Sequence, residues 1–470
     1  MVVSIICAAL SVPTLGASRL NGSSGRAAMK AAALSAAVAA PQTSKAKPVA
    51  RAPTANNGTS ACLYVNSNLS PDPDFDPETE DPVVSNAVEA FTRDTQTGTL
   101  AYVGRFDTGG LGDPFVGGFQ QHSIVSTGKY LYAVNPGDNT VSAFEVLKDC
   151  SLRLIEAQPT GGEKPVSIAV SGDLLYIANA GHSPIQEVAP ASYTGFRIGH
   201  DGSLSPLACP AVPATPGTFG NTLADVVFNK TGDVLIGTGL LPNVVESFQV
   251  DRNGCLADVN VYPGGGGPFG ALFSPAKPQQ LFITTAVPEL FSGPEDRAPG
   301  VDSYLVDKDG GLNLVDFFKD FFDPNDPAGS DEALRDPCWL AITQNGEYLW
   351  TSSFIPGELT LFKIDKQGNI SKLSVWDPED TIPNPDGDDF FLGSTDIAVD
   401  QTGKYLYQLR VFDVASMGER PLTPQIHVLR ITNDVTVDGG LELVQVVTLP
   451  EDLSLAGTMG IALVGPGKAK

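Results

Sequence analysis

Three ionisable residues, His122, Asp225 and Asp396, occupy equivalent places in separate copies of a repeated sequence pattern. The imidazole of His122 is the best candidate for a general base, because its ordinary pKa lies nearest to neutral pH. A carboxylate confined in a narrow site can have a raised pKa, which would let Asp225 or Asp396 act as acid or base. The structural alternative is that each aspartate only accepts backbone N–H bonds at the start of a strand.

Four further residues are candidates for substrate binding: Lys164, His182, Arg335 and Trp339. A cation at Lys164 or Arg335 could polarise a substrate carbonyl or hold a carboxylate. The sequence contains no G-x-S-x-G, H-E-x-x-H or P-loop motif, so other common enzyme classes lack support. It also contains no Cys/His cluster with zinc spacing, and metal ligands stay unassigned.

The elements that must position these residues recur along the chain. An apolar run, a turn with glycine and an aromatic-rich run are repeated at 122–135, 166–179, 224–239, 270–285, 339–353 and 395–409. Each copy is followed by an alternating run such as TVSAFEV or ELTLFKI, then by a polar turn and a fourth run. Alternation with period two, rich in Tyr, Val, Ile and Phe, predicts strands. Four strands per unit, recurring at roughly 45–70 residues, predict the blades of a β-propeller.

A seventh copy is split between the two ends of the chain. Residues 62–68 resemble a second strand without a first, and residues 459–465 resemble a first strand without a second. Pairing them would satisfy both and remove two sheet edges. The alternative is that 459–465 forms only an outer strand. We therefore predict an all-β, seven-bladed propeller of four-stranded antiparallel blades, closed by the C-terminal strand.

The connections differ on the two faces of this propeller. Turns such as STGK, QNGE and DKDGG are short, whereas the longer connections all fall on the other face, at 66–86, 179–195, 209–222, 285–300, 320–337, 377–394 and 409–425. Long loops on a rigid scaffold concentrate binding and catalysis, which places the site on that face. The first residues of the innermost strands would line the channel there, and Asp225 and Asp396, in blades four and seven, would face each other.

The charge of the chain limits its partners. Residues 1–51 carry six Lys or Arg and no acid, so the rest sums to −31 against −25 for the whole chain. A body this acidic repels nucleic acid and anionic membranes. The acidic segments 70–82 and 377–390 could bind Ca²⁺ through their alternating oxygens, or could form a solvated acidic rim. We expect no required cofactor.

The N-terminal region indicates export. Residues 1–18 read as a signal peptide, with Met29 as an alternative start, followed by a low-complexity segment at 19–60 and the propeller at 61–465. No run of about 18 apolar residues follows, so we expect no membrane insertion, and we expect a monomer. Five N-x-S/T sequons fit a secreted or cell-wall glycoprotein: Asn21, Asn57, Asn68, Asn229 and Asn369. The disulfide pairing among Cys62, Cys150, Cys209, Cys255 and Cys338 stays open.

The motif GKYLYxxN…VSAF and its sevenfold repetition resemble the sequences of lactonase-type seven-bladed propellers. That family includes 6-phosphogluconolactonase and 3-carboxymuconate-cyclase-like proteins, among them secreted fungal glycoproteins. The resemblance implies a lactonase or cycloisomerase that acts on a small lactone or ring ester. However, family members have a Pro-His-x-His segment, whereas EKPVSIAV and NTLADVVF here contain no histidine. The alternative is a non-catalytic extracellular cell-wall glycoprotein, an adhesin or antigen, that binds a cell-surface glycan or protein.

Overall fold

The computed structural model describes residues 61–69, 85–113, 120–183, 186–187, 190–217, 220–286, 297, 299–319, 336–354, 357–378, 381–382, 390–413, 424–450 and 458–465. The signal peptide and the low-complexity segment that we predict lie outside these residues. The described residues contain no helix that is long and apolar enough to cross a bilayer.

The first half of the chain forms β1 (Ala61–Asn66), β2 (Ala87–Arg93), β3 (Leu100–Asp107), β4 (Ile124–Ser126), β5 (Tyr130–Asn135), β6 (Thr140–Val146), β7 (Leu152–Pro159), β8 (Pro165–Ser171), β9 (Leu174–Asn179), β10 (His182–Ser183), β11 (Gln186–Glu187), β12 (Ser192–Ile198), β13 (Leu204–Pro206), β14 (Val212–Pro213), β15 (Leu223–Phe228) and β16 (Val234–Gly239). The second half forms β17 (Val244–Val250), β18 (Leu256–Pro263), β19 (Pro268–Phe273), β20 (Gln280–Thr285), β21 (Gly300–Val306), β22 (Leu312–Lys319), β23 (Pro337–Ile342), β24 (Tyr348–Ser353), β25 (Leu359–Ile364), β26 (Ile370–Trp376), β27 (Thr381–Ile382), β28 (Phe390–Val399), β29 (Tyr405–Asp413), β30 (Gln425–Ile431), β31 (Leu441–Thr448) and β32 (Met459–Val464). A 3-10 turn at Asp438–Gly440 precedes β31.

These strands build seven antiparallel blades, as the repeats predict. Blade 1 contains β32, β1, β2 and β3; blade 2 contains β4 to β7; blade 3 contains β8, β9, β12 and β13, with β14 beside β12. Blades 4, 5 and 6 contain β15 to β18, β19 to β22 and β23 to β26, and blade 7 contains β28 to β31, with β27 beside β28. The short hairpin β10–β11 stands apart in the second connection of blade 3. The all-β seven-bladed propeller is therefore confirmed.

The ring closes through the two ends of the propeller. β32 is antiparallel to β1, with Leu463 opposite Leu63 and Ile461 opposite Val65. The innermost strands contact one another in the cyclic order β4, β8, β15, β19, β23, β28 and β32. One apolar cluster packs in each interface between adjacent blades. Blade 1 therefore takes its innermost strand from the C-terminal end, as predicted.

A second feature of the repeats is a hydrogen bond between each blade and the next. In every blade one side chain donates to a carbonyl in the following blade's outer turn, at 2.6–3.1 Å: Tyr64 to Cys150, Tyr132 to Gly202, Tyr176 to Gly254, Ser247 to Gly310, Ser303 to Gly368, Trp350 to Gly439 and Tyr407 to Gly98. The last bond joins blade 7 to blade 1. The recurring aromatic of the KYLY motif is the donor in five of these bonds, which explains why the sequence repeats it.

Disulfides add two further links between blades. Cys62 in blade 1 is bonded to Cys150 in blade 2, and Cys209 after β13 is bonded to Cys255 in blade 4. Cys338 at the start of β23 is buried and forms no disulfide within the described residues. The structure thus selects one pairing among those that the sequence left open.

Candidate active site

The segment Gln120–Ser123 reaches across the channel mouth toward distant blades. The indole Nε1 of Trp339 in blade 6 donates to the carbonyl of Gln120 at 2.9 Å. The backbone N–H of Gln121 donates to Ala224 O in blade 4 at 3.3 Å, and its side-chain Nε2 donates to Leu340 O at 3.2 Å. The connection into blade 2 is therefore anchored on the opposite side of the channel.

Two glycines leave room for this segment. A Cβ added to Gly270 would lie 2.1 Å from Oε1 of Gln121, and one added to Gly460 would lie 2.2 Å from Oγ of Ser123. The Ser123 hydroxyl donates to Met459 O at 3.1 Å, which ties the end of the segment to blade 1. A side chain at either glycine would therefore clash with the segment as it lies in this structure.

This anchoring brings His122 to Asp225. Nδ1 of His122 lies 2.9 Å from Oδ1 of Asp225. The His122 backbone has a φ of 59°, a left-handed conformation that is uncommon for a residue with a side chain and that recurs at functional sites. The His122 side chain is 27% exposed whereas Asp225 is fully buried, so the imidazole is the part of the pair that solvent can reach.

Asp225 is surrounded by hydrogen-bond donors. Its Oδ1 accepts from the Ser167 hydroxyl at 2.7 Å and from the Val226 N–H at 2.9 Å, in addition to its contact with His122. Its Oδ2 accepts from Ala271 N–H, in blade 5, at 2.9 Å. These donors fix the position of the carboxylate. Asp225 therefore holds one tautomer and one orientation of the imidazole and also bridges two blades.

Asp396 is the second carboxyl group in the channel. Its Oδ1 accepts from Ile397 N–H at 2.8 Å, and its Oδ2 accepts from Ile461 N–H, in blade 1, at 2.7 Å. Burial raises the pKa of Asp396 to about 7, despite these bonds and the favourable interaction with His122. Asp396 thus exchanges its proton near neutral pH, as a catalytic acid must.

The electrostatics of His122 reflect both carboxylates. Burial by itself lowers the pKa of the imidazole, but the charge and hydrogen bond of Asp225 and the charge of Asp396 outweigh it and raise the pKa. The three candidate catalytic residues, taken from blades 2, 4 and 7, therefore form one interacting group. The group thus combines an imidazole whose pKa is raised by two carboxylates with a buried carboxyl group whose pKa is raised to about 7.

Register shifts explain how the strands present these side chains. The pairing of the innermost strand with its neighbour shifts immediately before Ser167, Asp225, Trp339 and Asp396. Such an extra residue bends the strand and turns the next side chain in a new direction. Both aspartates also accept backbone N–H bonds, as the structural alternative requires, so the same bond network serves the fold and the site.

The substrate-binding candidates have different surroundings. Nζ of Lys164 pairs with Oδ2 of Asp113 at 2.7 Å, with both side chains largely buried. Trp339 is fully buried and packs against Phe269, so it supports Gln120 and does not line an open surface. The side chain of His182 and all of Arg335 lie outside the described residues.

The acidic segments proposed for Ca²⁺ lie largely outside the described residues as well. Within the part of the chain that the structure describes, no group of three or more His, Cys, Asp or Glu side chains is arranged to hold a metal ion.

Sequence reasoning missed the part played by Gln120, Gln121 and Ser167. The available signals were the position of Ser167 near the start of an innermost strand and the place of the two glutamines directly before His122. The Oε1 atoms of Gln120 and Gln121 are buried and have no hydrogen-bond partner among the described residues.

Comparisons with known proteins agree with the fold. Residues 84–195 match the family model described as "Lactonase, 7-bladed beta-propeller". A Bacteroides uniformis protein provisionally named a 6-phosphogluconolactonase is similar in structure, with a TM-score of 0.60, 17% identity and coverage of 86% of this chain and 100% of that chain. The periplasmic gluconolactonase of Pseudomonas aeruginosa is also similar in structure, with a TM-score of 0.57, 15% identity and coverage of 87% of this chain and 99% of that chain.

A hypothetical selenium-binding protein from Sulfolobus tokodaii is also similar, with a TM-score of 0.61, 11% identity and coverage of 88% of this chain and 96% of that chain. A search of curated proteins found no match to this sequence. At these identities the structural similarities show a shared propeller fold, and one fold carries many reactions.

Proposed function

We propose that this propeller is a lactonase-type enzyme that opens a small ring ester at the channel mouth. The observation that carries the proposal is the contact between His122 and Asp225, 2.9 Å apart, beside a buried Asp396 whose pKa is raised to about 7. Residues 84–195, which match the lactonase family model, include His122 and Ser167 of this site. The gluconolactonase from Pseudomonas aeruginosa, which shares the fold, lends support at the level of the reaction class.

The arrangement suits hydrolysis by general acid and base. Nδ1 of His122 is engaged with Asp225, so Nε2 is the nitrogen that takes a proton from water as the water oxygen attacks the ester carbonyl. Asp225 stabilises the imidazolium that forms. The ring C–O bond then breaks, and its oxygen takes a proton from Asp396. A cycloisomerase would instead add a substrate carboxylate oxygen to one carbon of a C=C bond, and the other carbon would take the proton from Asp396.

A panel of lactones tests this proposal. The wild-type protein should hydrolyse at least one member, and His122→Gln and Asp396→Asn should each lower kcat by about 10²- to 10⁴-fold. His200→Gln provides the matched control, because His200 is exposed in a short turn on the other face. The proposal fails if no lactone is turned over, or if His122→Gln retains full activity while remaining folded by circular dichroism.

One observation favours a non-catalytic protein as the second candidate. Both aspartates are satisfied by backbone N–H groups of the neighbouring blade, so their presence can be explained by the fold alone. Such a protein would bind a cell-surface glycan or protein partner. A screen against glycan arrays and matrix proteins would reveal this role, whereas specific lactone turnover that depends on His122 would exclude it as the main function.

Export is proposed for either candidate. Two disulfides within the propeller are typical of an oxidising compartment, which fits a secreted or cell-wall location. The sequon at Asn369 is exposed, whereas Asn68 is buried and donates to Asp113 O at 2.8 Å. If the chain is glycosylated, Asn369 is therefore the better acceptor in the folded protein. We retain the expectation of a monomer.

A further inference from the structure

We infer that Ser167 is a positioning residue of the site, which acts through Asp225 to set the orientation and the proton affinity of the His122 imidazole, and that it is not a nucleophile. This inference rests on the proposed function, because it specifies how the base of that reaction is prepared. Two independent observations carry it: the hydrogen bonds of the Ser167 hydroxyl, and the contacts of β8 with both members of the His122–Asp225 pair.

The Ser167 hydroxyl is enclosed by hydrogen bonds within the protein. It donates to Oδ1 of Asp225 at 2.7 Å, and its oxygen accepts from the Val226 N–H at 3.1 Å. The residue is 0% exposed. A serine hydroxyl has a single proton to donate, and here that proton is directed at the carboxylate. The hydroxyl is therefore occupied as a donor and cannot be reached from solvent.

This arrangement differs from that of a nucleophilic serine. A nucleophilic serine contacts the base that takes its proton while its oxygen bonds to the substrate carbonyl carbon. In a Ser-His-Asp triad the serine contacts the imidazole, and the imidazole contacts the carboxylate. Here Ser167 and Nδ1 of His122 contact the same oxygen, Oδ1 of Asp225. The same three residue types thus meet in an order in which the serine supports the carboxylate.

Strand β8 supports the catalytic pair through two consecutive residues. The Ile168 N–H donates to the carbonyl of His122 at 3.0 Å, next to the left-handed backbone of that residue. Ser167, directly before Ile168, binds Oδ1 of Asp225 with its side chain. The pairing of β8 with β9 shifts between Pro165 and Ser167, immediately before these two contacts. One strand therefore fixes the imidazole both through its own main chain and through its carboxylate partner.

The hydroxyl also affects the charge that the imidazole meets. The positive end of its O–H dipole points at the oxygen that contacts Nδ1 of His122 and partly offsets the negative charge there. Among the described residues, the charges that raise the pKa of the imidazole are those of Asp225 on β15 and Asp396 on β28. Without the hydroxyl, Oδ1 would attract the imidazolium more strongly, and the pKa of His122 would rise further. The neutral base would then be present over a narrower pH range.

An NMR titration of the His122 imidazole tests the inference without any substrate. Ser167→Ala should raise the pKa of His122 by about 0.5–1 unit, whereas Ser167→Thr, which keeps the hydroxyl, should titrate like the wild type. Ser247→Ala is the matched control, because Ser247 is also a buried serine, and its hydroxyl donates to Gly310 O at 2.6 Å between blades 4 and 5. An unchanged or lowered pKa in Ser167→Ala, or an equal shift in Ser247→Ala, would overturn the inference.

The kinetics of a lactone that the wild type hydrolyses provide the second test. In Ser167→Ala the acid limb of kcat/KM should move to higher pH together with the pKa of His122, and the plateau kcat should fall by less than about tenfold. Loss of a nucleophilic serine would instead lower kcat by about 10⁴-fold or more.

The outcomes separate this inference from the proposed function. A loss of 10⁴-fold in folded Ser167→Ala, or a covalent adduct on Ser167 found by mass spectrometry of acid-quenched wild type, would overturn the inference and leave the lactonase function standing. The adduct search uses the wild-type protein and so does not depend on the folding of any variant. No turnover of any lactone would overturn the proposed function, while the NMR titration would still decide the role of Ser167.

Discussion

At the scale of single residues, the site depends on how two carboxylates differ. Among the described residues, Asp225 accepts from a hydroxyl and two backbone N–H groups and contacts the imidazole, whereas Asp396 accepts from two backbone N–H groups. Hydrogen bonds to the charged form favour ionisation, and burial opposes it. Asp225 can therefore hold the imidazole of His122 in place, whereas burial raises the pKa of Asp396 to about 7 and gives it an exchangeable proton.

This difference predicts the pH dependence of lactone hydrolysis. Asp396 must be protonated to act as an acid, so kcat/KM should fall as the pH rises through about 7. His122 must be neutral to act as a base, and its pKa is raised, so kcat/KM should also fall as the pH drops below that raised value. The result is a bell-shaped profile whose two limbs describe the coupled group. Rate measurements from pH 5 to 9, at about one-unit intervals or finer, check this shape.

The variant Asp396→Asn separates the two limbs. Asparagine has no carboxyl proton to lose, so the alkaline limb should disappear and the acid limb should persist at a lower overall rate. The control His200→Gln should keep both limbs. An alkaline limb that is unchanged in Asp396→Asn would assign the acid to another group.

At the scale of the strands, the hydrogen bonds between blades explain both the repeats and their exceptions. In blades 4 and 5 the position of the KYLY aromatic is taken by Ile236 and Phe282, which have no donor. The residue directly across the strand pair is then a serine, Ser247 or Ser303, and it donates to the next blade instead. Where Tyr132 is the donor, its cross-strand neighbour is Ala143. The bond is kept although the donating strand changes.

Removing one of these bonds should therefore destabilise the propeller measurably. Ser247→Ala and Tyr132→Phe each leave a buried carbonyl without its donor, so we expect each to lower the free energy of unfolding by about 1–2 kcal/mol. Urea denaturation followed by fluorescence gives this value. Ser205→Ala, at an exposed position on β13, serves as the control and should change stability by less than about 0.5 kcal/mol. Equal stability of Ser247→Ala and Ser205→Ala would contradict the structural importance of the bonds.

At the scale of the whole molecule, the ring is closed at three levels. β32 and β1 close it at the channel, Tyr407 and Gly98 close it farther out, and the ion pair between Arg93 and Asp400 joins blade 1 to a turn of blade 7. The two charged side chains are 1% and 0% exposed and lie 2.9 Å apart. Residues separated by about 300 positions in the chain thus stabilise one junction.

The buried ion pair gives a whole-molecule prediction. Arg93→Ala leaves Asp400 buried without its counter-charge and should lower the free energy of unfolding by about 3–5 kcal/mol. Arg430→Ala removes an exposed partner of Glu442 and should cost about 0.2–1 kcal/mol. Chemical denaturation of both variants and of the wild type measures the difference. Similar values for the two variants would show that the closure does not depend on the buried pair.

The sequence by itself determined the number of blades, their four strands, the closure by the C-terminal strand and the three candidate catalytic positions. These features follow from local repeats, because six of the seven blades are each formed by one continuous segment of the chain and each innermost strand begins at an equivalent place in its repeat. The split copy at 62–68 and 459–465 was recognisable because each half lacked a partner.

Only the tertiary structure decided which of these residues meet. His122 reaches Asp225 because the segment before it is anchored on blades 4 and 6, and nothing in the local pattern encodes that path. The pairing of Lys164 with Asp113 and the two disulfides likewise join residues from different blades, or from a blade and a connection. The periodic sequence pattern specifies the strands of each blade. The connections between strands have no such pattern, and their paths determine which side chains meet at the channel.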